Sequence, residues 1–213
     1  MRLAALWGWT CFVCALASVA PVASAAPKSV KLPILVHLAR EGGRAVAERD
    51  FWERQIARAN EIFAPYAVGF SLRGVVAASG PARMESRADR DQLGAQVQAG
   101  AINCFVVASL RDVDEPERMR RGVHWHSETH APAHYVILSA IADPNVLAHE
   151  LGHFLGNPRH SETSGNLMSY DWGDGLPFLA PPQVQRVERT IRGYLQRGEL
   201  ALTAARSAPA PAP

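Results

Sequence analysis

The segment His149-Glu150-Leu151-Gly152-His153 constrains this chain more than any other. Two histidines four positions apart face the same way on an α-helix, where residues i and i+4 lie one above the other. Both imidazoles can then reach one cation, and Glu150, next in the sequence, is directed at water beside that cation. The flanks predict the helix independently of the motif. Asp143 is a good N-cap, Pro144 suits the first helical position, and Gly156 suits the C-terminal end.

Two imidazoles do not complete a catalytic zinc site, because three protein ligands plus a water is the usual arrangement. The string continues Phe154-Leu155-Gly156-Asn157-Pro158-Arg159-His160 and, after a gap, Asn166-Leu167-Met168-Ser169-Tyr170. Over these residues the chain resembles the metzincin family of zinc peptidases, whose signature is H-E-x-x-H-x-x-G-x-x-H followed by a methionine turn. Gly156 stands where that pattern wants its glycine. The match then slips by one, since the position expected to be histidine is Arg159, and a permanently cationic guanidinium cannot ligate zinc. The resemblance assigns the third ligand to His160, with Asn157-Pro158-Arg159 bulging. The eight positions from His160 to Met168 (168 − 160) are similar to the spacing in matrix metalloproteinases. Glu162 and Asp171, and more remotely Glu188, are the alternatives, as some families complete the shell with a carboxylate.

The resemblance implies further roles. Met168 would pack beneath the zinc as a hydrophobic base. Tyr170, placed as in the astacin-like and serralysin-like branches, would reach toward the metal and hydrogen-bond the oxyanion; the competing reading is an ordinary core tyrosine. Gly122-Val123-His124-Trp125-His126 occupies the place where metzincins lay substrate alongside the sheet as an added strand, which makes Gly122, His124 and Trp125 the expected substrate-binding residues. The run from Asp171 to Phe178 would wall the specificity pocket. Glu150 would take a proton from water acidified by the metal and pass it to the leaving amine. His124, His126, His130 and His134 invite a second, structural zinc, but the aspartate that accompanies such a site in matrix metalloproteinases is missing, so neither it nor calcium is expected. The implied activity is that of a secreted zinc endopeptidase with one catalytic Zn2+. Two alternatives stand beside it: a zincin with a carboxylate third ligand, and an inactive zinc-binding protein, against which the presence of Glu150 argues.

Composition sets the frame. With 213 residues there is chain for one domain with a real core, and 22 Lys and Arg against 20 Asp and Glu give no concentrated basic face for nucleic acid or an anionic membrane. Arg118, Arg120 and Arg121 form the one basic cluster, expected to be a solvated loop. Residues 1–25 read as a signal peptide: Arg2, an apolar run from Leu3 to Val19, and the small-x-small site Ala23-Ser24-Ala25. A secreted or periplasmic, monomeric domain over residues 26–200 follows, acting on peptide or protein, with an Ala/Pro-rich disordered tail at 201–213. Cys11 and Cys14 fall in the signal, which leaves Cys104 alone and an internal disulfide impossible. Cys104 lies in the apolar run from Ile102 to Val107 and reads as a core thiol.

The apolar patterning predicts strands at Val30–Leu38, Val68–Ala77, Ala101–Leu110, Gly122–Ser127 (an edge) and Ala133–Ala140 (central). It predicts helices at Ala45–Phe63, Ala88–Ala99 and Pro182–Glu199 besides the motif helix. Together these make an α+β fold: a mixed, twisted sheet of about five strands with an active-site helix, a long backing helix and a C-terminal helix, as in metzincin-like zincins.

Overall fold

The structure is a computed structural model that describes residues 29–202; the expected signal segment and the tail from residue 203 onward lie outside the described residues. Five apolar segments pair into one sheet: β1 (Val30–Leu38), β2 (Val68–Ala77), β3 (Ile102–Val107), β4 (Gly122–His126) and β5 (His134–Ser139), in the spatial order β2-β1-β3-β5-β4. Strands β1, β2, β3 and β5 run parallel to their neighbours, whereas β4 pairs antiparallel with β5, from Gly122 opposite Leu138 to His126 opposite His134, and lies at the edge. Among the described residues four α-helices accompany them: α1 (Arg49–Phe63), α2 (Arg87–Asp91), α3 (Asn145–Phe154) and α4 (Pro181–Arg197). Among the described residues no helix is long and apolar enough to cross a membrane.

Alternation along the strands sends successive side chains to opposite faces, so each face builds its own core. Leu32, Ile34, Val36, Cys104, Val106, Val136 and Leu138 pack against α1 and α3 through Phe51, Ile56, Phe63, Leu147, Leu151 and Phe154. The other face carries Phe105, Val107, Tyr135 and Ile137 under Met84, Leu93 and Leu110. Cys104 is buried, and that burial, followed by the nearby Glu150 charge, pushes its thiol up to about 12. It is a packed, unreactive group.

Several boundaries differ from the sequence expectation, the strands at Ile102, His126, His134 and Ser139 by one residue each and others by more or for a physical cause. Helix α1 begins at Arg49 rather than Ala45 because Arg44–Ala45 folds back on Arg40–Glu41 as a hairpin, with Gly42 and Gly43 at φ of 56° and 81°. The expected helix over 88–99 is a single α turn that tightens into a 3-10 segment at Gln92–Gln96. There Gly94 admits the loop after β4: a Cβ on it would meet Ser127 Oγ at 2.8 Å and His130 Cβ at 2.9 Å. The third strand stops at Val107, and Ser109–Leu110 instead pairs with Arg83–Met84. Helix α4 starts at Pro181 and ends at Arg197, where Gly198 turns left-handed at φ 73°.

The start of α3 shows a larger correction. Asp143 does not cap it; its carboxylate is ion-paired with Arg121, and Pro144 occupies the N-cap position with no side-chain cap. The free amides are served from α1 instead. Buried Gln55 accepts from the Leu147 N–H at 3.0 Å and donates through Nε2 to the carbonyls of Ala142 at 3.1 Å and Asp143 at 2.9 Å. One amide group thus joins the backing helix to the first turn of the motif helix. We predict that Gln55→Leu, which strands the buried Leu147 N–H and takes a donor from the Ala142 carbonyl, lowers stability by about 1–3 kcal/mol. Asp143→Ala, at an exposed ion pair, should cost less than about 1 kcal/mol. Urea denaturation of both variants checks the order, and equal losses would refute it.

Candidate metal site

Helix α3 sets His149 and His153 one turn apart, with Nε2 to Nε2 at 3.2 Å. Their outer nitrogens are held by backbone carbonyls: His149 Nδ1 donates to Leu167 O at 2.8 Å and His153 Nδ1 to Asn157 O at 2.7 Å. A carbonyl only accepts, so in each neutral ring the proton sits on Nδ1 and Nε2 carries a bare lone pair. Burial first of all drives both rings' basicity down, to a pKa of about 4, against the carbonyl bonds that raise it. Two unprotonated nitrogens facing each other at 3.2 Å cannot hydrogen-bond, and their lone pairs repel unless a cation lies between them.

His160 closes the group. Its Nε2 is 3.2 Å from His153 Nε2, and one nitrogen of each of the three rings lies within 4.8 Å of the others. Nitrogens about 2.0–2.1 Å from a tetrahedral zinc are about 3.3 Å apart, so these spacings fit that ion. The chain reaches this position by stopping α3 sharply. Gly156 takes φ 95°, its N–H bonds to His153 O and the Asn157 N–H to Gly152 O, and the next residues swing back past Arg159. Glu162, Asp171 and Glu188 belong to no group of converging ligand atoms among the described residues.

Beneath the rings, Asn166–Ser169 forms a tight turn in which the Asn166 side chain accepts from the Met168 N–H and the Asn166 carbonyl from the Ser169 N–H. Met168 is buried against Gly152, where any Cβ would run into its sulfur. Three amide residues and an arginine, whose roles the sequence reading missed, hold this arrangement. Asn166 and Gln183 exchange two amide hydrogen bonds, at 2.8 and 3.0 Å, and Asn157, whose carbonyl orients His153, accepts from Arg186 Nε at 2.8 Å. The sole signal in the sequence was an amide residue at an otherwise ordinary loop or helix position.

Glu150 is 6% exposed, and burial pushes its carboxyl up to about 8, while the His124 backbone amide and the Arg120 charge pull it down. It rests against Gly122 of the edge strand: a Cβ there would meet Glu150 Cγ at 2.9 Å and Oε1 at 3.0 Å. Tyr170 is 67% exposed, which excludes the core reading. Its ring lies 4.4 Å from that of His160, and Arg120 Nη1 donates to its hydroxyl at 3.4 Å. A cleft of ≈ 1130 Å³ runs along β4 past the three rings and is lined by Gly122, His124, Glu150 and Tyr170. Of the expected pocket wall 171–178, Trp172 lines this cleft, bonding Leu167 O through Nε1 at 3.1 Å. Trp125 also borders it, but its indole turns to the other face, packs in the outer core and donates to Asp91 at 2.9 Å. The remaining histidines divide: His124, His126 and His134 bring ligand atoms within 4.8 Å of one another, and His130 stands apart.

No family model matches the chain, and no curated protein sequence matches it significantly. Solved structures do. Metalloproteinase-II from Bacteroides fragilis superposes with a TM-score of 0.51 at 14% identity over 78% of this chain, which spans only 55% of that protein. Archaemetzincin from Methanopyrus kandleri gives 0.51 at 14% identity, covering 78% of this chain and 97% of that one. Mirolysin, a Tannerella forsythia protein, gives 0.57 at 13% identity, covering 83% and 100%. The chain therefore has the fold of metzincin-like zinc metallopeptidases, an α+β arrangement on a mixed five-stranded sheet. At this identity the likeness is one of fold.

The bend at Gly156 can be tested against a second left-handed glycine. A methyl group on Gly156 would strike Thr190 Oγ1, whereas one on Gly43 would meet nothing within 4 Å. Gly43→Ala should cost about 1–2 kcal/mol for the backbone conformation alone. Gly156→Ala should cost more, and adding Thr190→Ala should recover the excess. Thermal unfolding of the four proteins measures this, and a Gly156→Ala loss no greater than that of Gly43→Ala would remove the packing argument.

Proposed function

We propose that the protein is an exported zinc endopeptidase, with His149, His153 and His160 as ligands of one catalytic zinc and Glu150 as general base. One observation carries the reading: two imidazoles whose protons are committed to backbone carbonyls aim their lone pairs at a common point, beside a third ring and a buried carboxyl group. When bound there, zinc supplies Lewis acidity, which acidifies water and polarises a carbonyl. Glu150 takes the proton of the attacking water and later delivers it to the leaving amine. Its burial suits the second half of that shuttle, since desolvation raises the carboxyl's affinity for the proton it must hold, and a cation beside it would favour the charged form that takes the proton first. Met168 packs beneath the site. Tyr170, exposed at the cleft and held by Arg120, is positioned to donate to the oxyanion.

The substrate in this reading is a peptide in extended form, laid against β4. That strand pairs on one side with β5, and among the described residues no strand covers its other side. Gly122 brings the backbone of β4 against Glu150, so a peptide paired there would carry its scissile carbonyl past the general base. Main-chain pairing of this kind favours peptides over simple esters. A purely structural zinc has no use for a buried acid at that spot.

Glu150→Gln should keep zinc at wild-type stoichiometry while cleavage of a casein or peptide substrate falls about 10²- to 10⁴-fold. Undiminished turnover would end the proposal. His160→Ala should lose both the ion and activity, whereas Glu162→Ala should lose neither. The reverse pattern would establish a carboxylate third ligand. Removing metal with a chelator should abolish cleavage, and added zinc should restore it.

A further inference from the structure

We infer a second metal site, for zinc, held by His124 and His126 of β4 and His134 of β5. Residues i and i+2 of a strand share a face, so His124 and His126 point the same way, and antiparallel register sets His134 directly opposite His126. The three rings gather on the helix-packed side of the sheet. His124 Nε2 lies 2.9 Å from His134 Nδ1, and His126 is stacked on His134 with ring centres 5.2 Å apart and edge-on to His124 at 4.6 Å. One nitrogen of each ring falls within 4.8 Å of the others.

Two further features make this a binding arrangement. Phe154 stacks on His134 at 4.3 Å and Tyr194 lies 5.3 Å away, so aromatic side chains hold the cluster in place. Apart from the His124–His134 contact, no described residue hydrogen-bonds to any of the three rings. The far nitrogen of His134, Nε2, faces the Glu199 carboxylate at 4.0 Å. At that distance the carboxylate is an electrostatic neighbour and not a hydrogen-bond partner, and its charge favours the tautomer with the proton on that far nitrogen, which leaves the other lone pair free. In His134 that free atom is Nδ1, which faces the cluster. Three imidazoles are a donor set for zinc and neighbouring late transition ions, and they leave the fourth position to water. No aspartate takes part.

An ion here would clamp the edge strand to its neighbour beside the end of α4, bracing the wall of the cleft. The inference stands whether or not the other three histidines hold a catalytic ion. The test uses the full chain, stripped with chelator, dialysed against zinc and analysed for metal per chain. Two ions are expected in the wild type and one in each of His126→Ala, His126→Gln and the His149→Ala/His153→Ala double variant. The double variant should also keep a zinc-dependent rise in unfolding midpoint that disappears when His126→Ala is added. A wild type with one ion, lost in the double variant and retained in both His126 variants, would overturn the second site and leave the catalytic reading intact. One ion lost with His126 yet kept in the double variant would do the opposite.

Discussion

Two backbone carbonyls decide the chemistry of this protein. By accepting the Nδ1 protons of His149 and His153, Leu167 O and Asn157 O leave unshared electron pairs on both Nε2 atoms, 3.2 Å apart at the wall of the cleft. Neither ring can relieve that repulsion by rotating without giving up its carbonyl, and neither is basic enough to protonate readily. The scaffold around them is arranged to keep those carbonyls where they are. Asn166 pins the turn that presents Leu167, Gln183 of α4 pins Asn166, and Arg186 pins Asn157. A cation fits this preorganised pair, and hydrogen bonds to the far side of ligating rings are what set ligand orientation in metal sites generally.

The same desolvation acts on Glu150. Its carboxyl is enclosed between α3 and the edge strand because Gly122 has no side chain to hold the two apart. The cost of burying a charge is therefore present in the fold before any substrate arrives, and a nearby divalent cation would offset it. The edge strand serves two places at once: its backbone borders Glu150, and its helix-facing side chains, His124 and His126, form part of the second histidine group. Loss of order in β4 would disturb Glu150 and the cleft wall together.

Much of this was legible in the chain. The strands Val30–Leu38 and Val68–Ala77, the edge position of Gly122–His126 and the central position of His134–Ser139 follow from alternation and apolar runs, because burial on a sheet imposes those patterns locally. Gly156 was legible too, since a helix that must stop abruptly uses a residue tolerant of φ 95°. The misreadings share one cause. Asp143 looked like a cap, but Arg121 claimed its carboxylate and Gln55, distant in sequence, supplied the hydrogen bonds. The four histidines from 124 to 134 gave no spacing that separates His130 from the rest, because strand pairing across a turn, not linear distance, decides which of them meet.

By itself the sequence determined that α3 carries two imidazoles on one face with a carboxyl beside them, since helical geometry acts between residues a few positions apart. It also determined which strands lie inside the sheet, since burial leaves its mark on composition. Tertiary structure alone decided which ring nitrogens are free of protons, how far Glu150 is desolvated and which distant histidines share a point. Those properties depend on carbonyls, charges and packing brought in from other elements, and no local rule couples residues that meet only when the chain closes on itself.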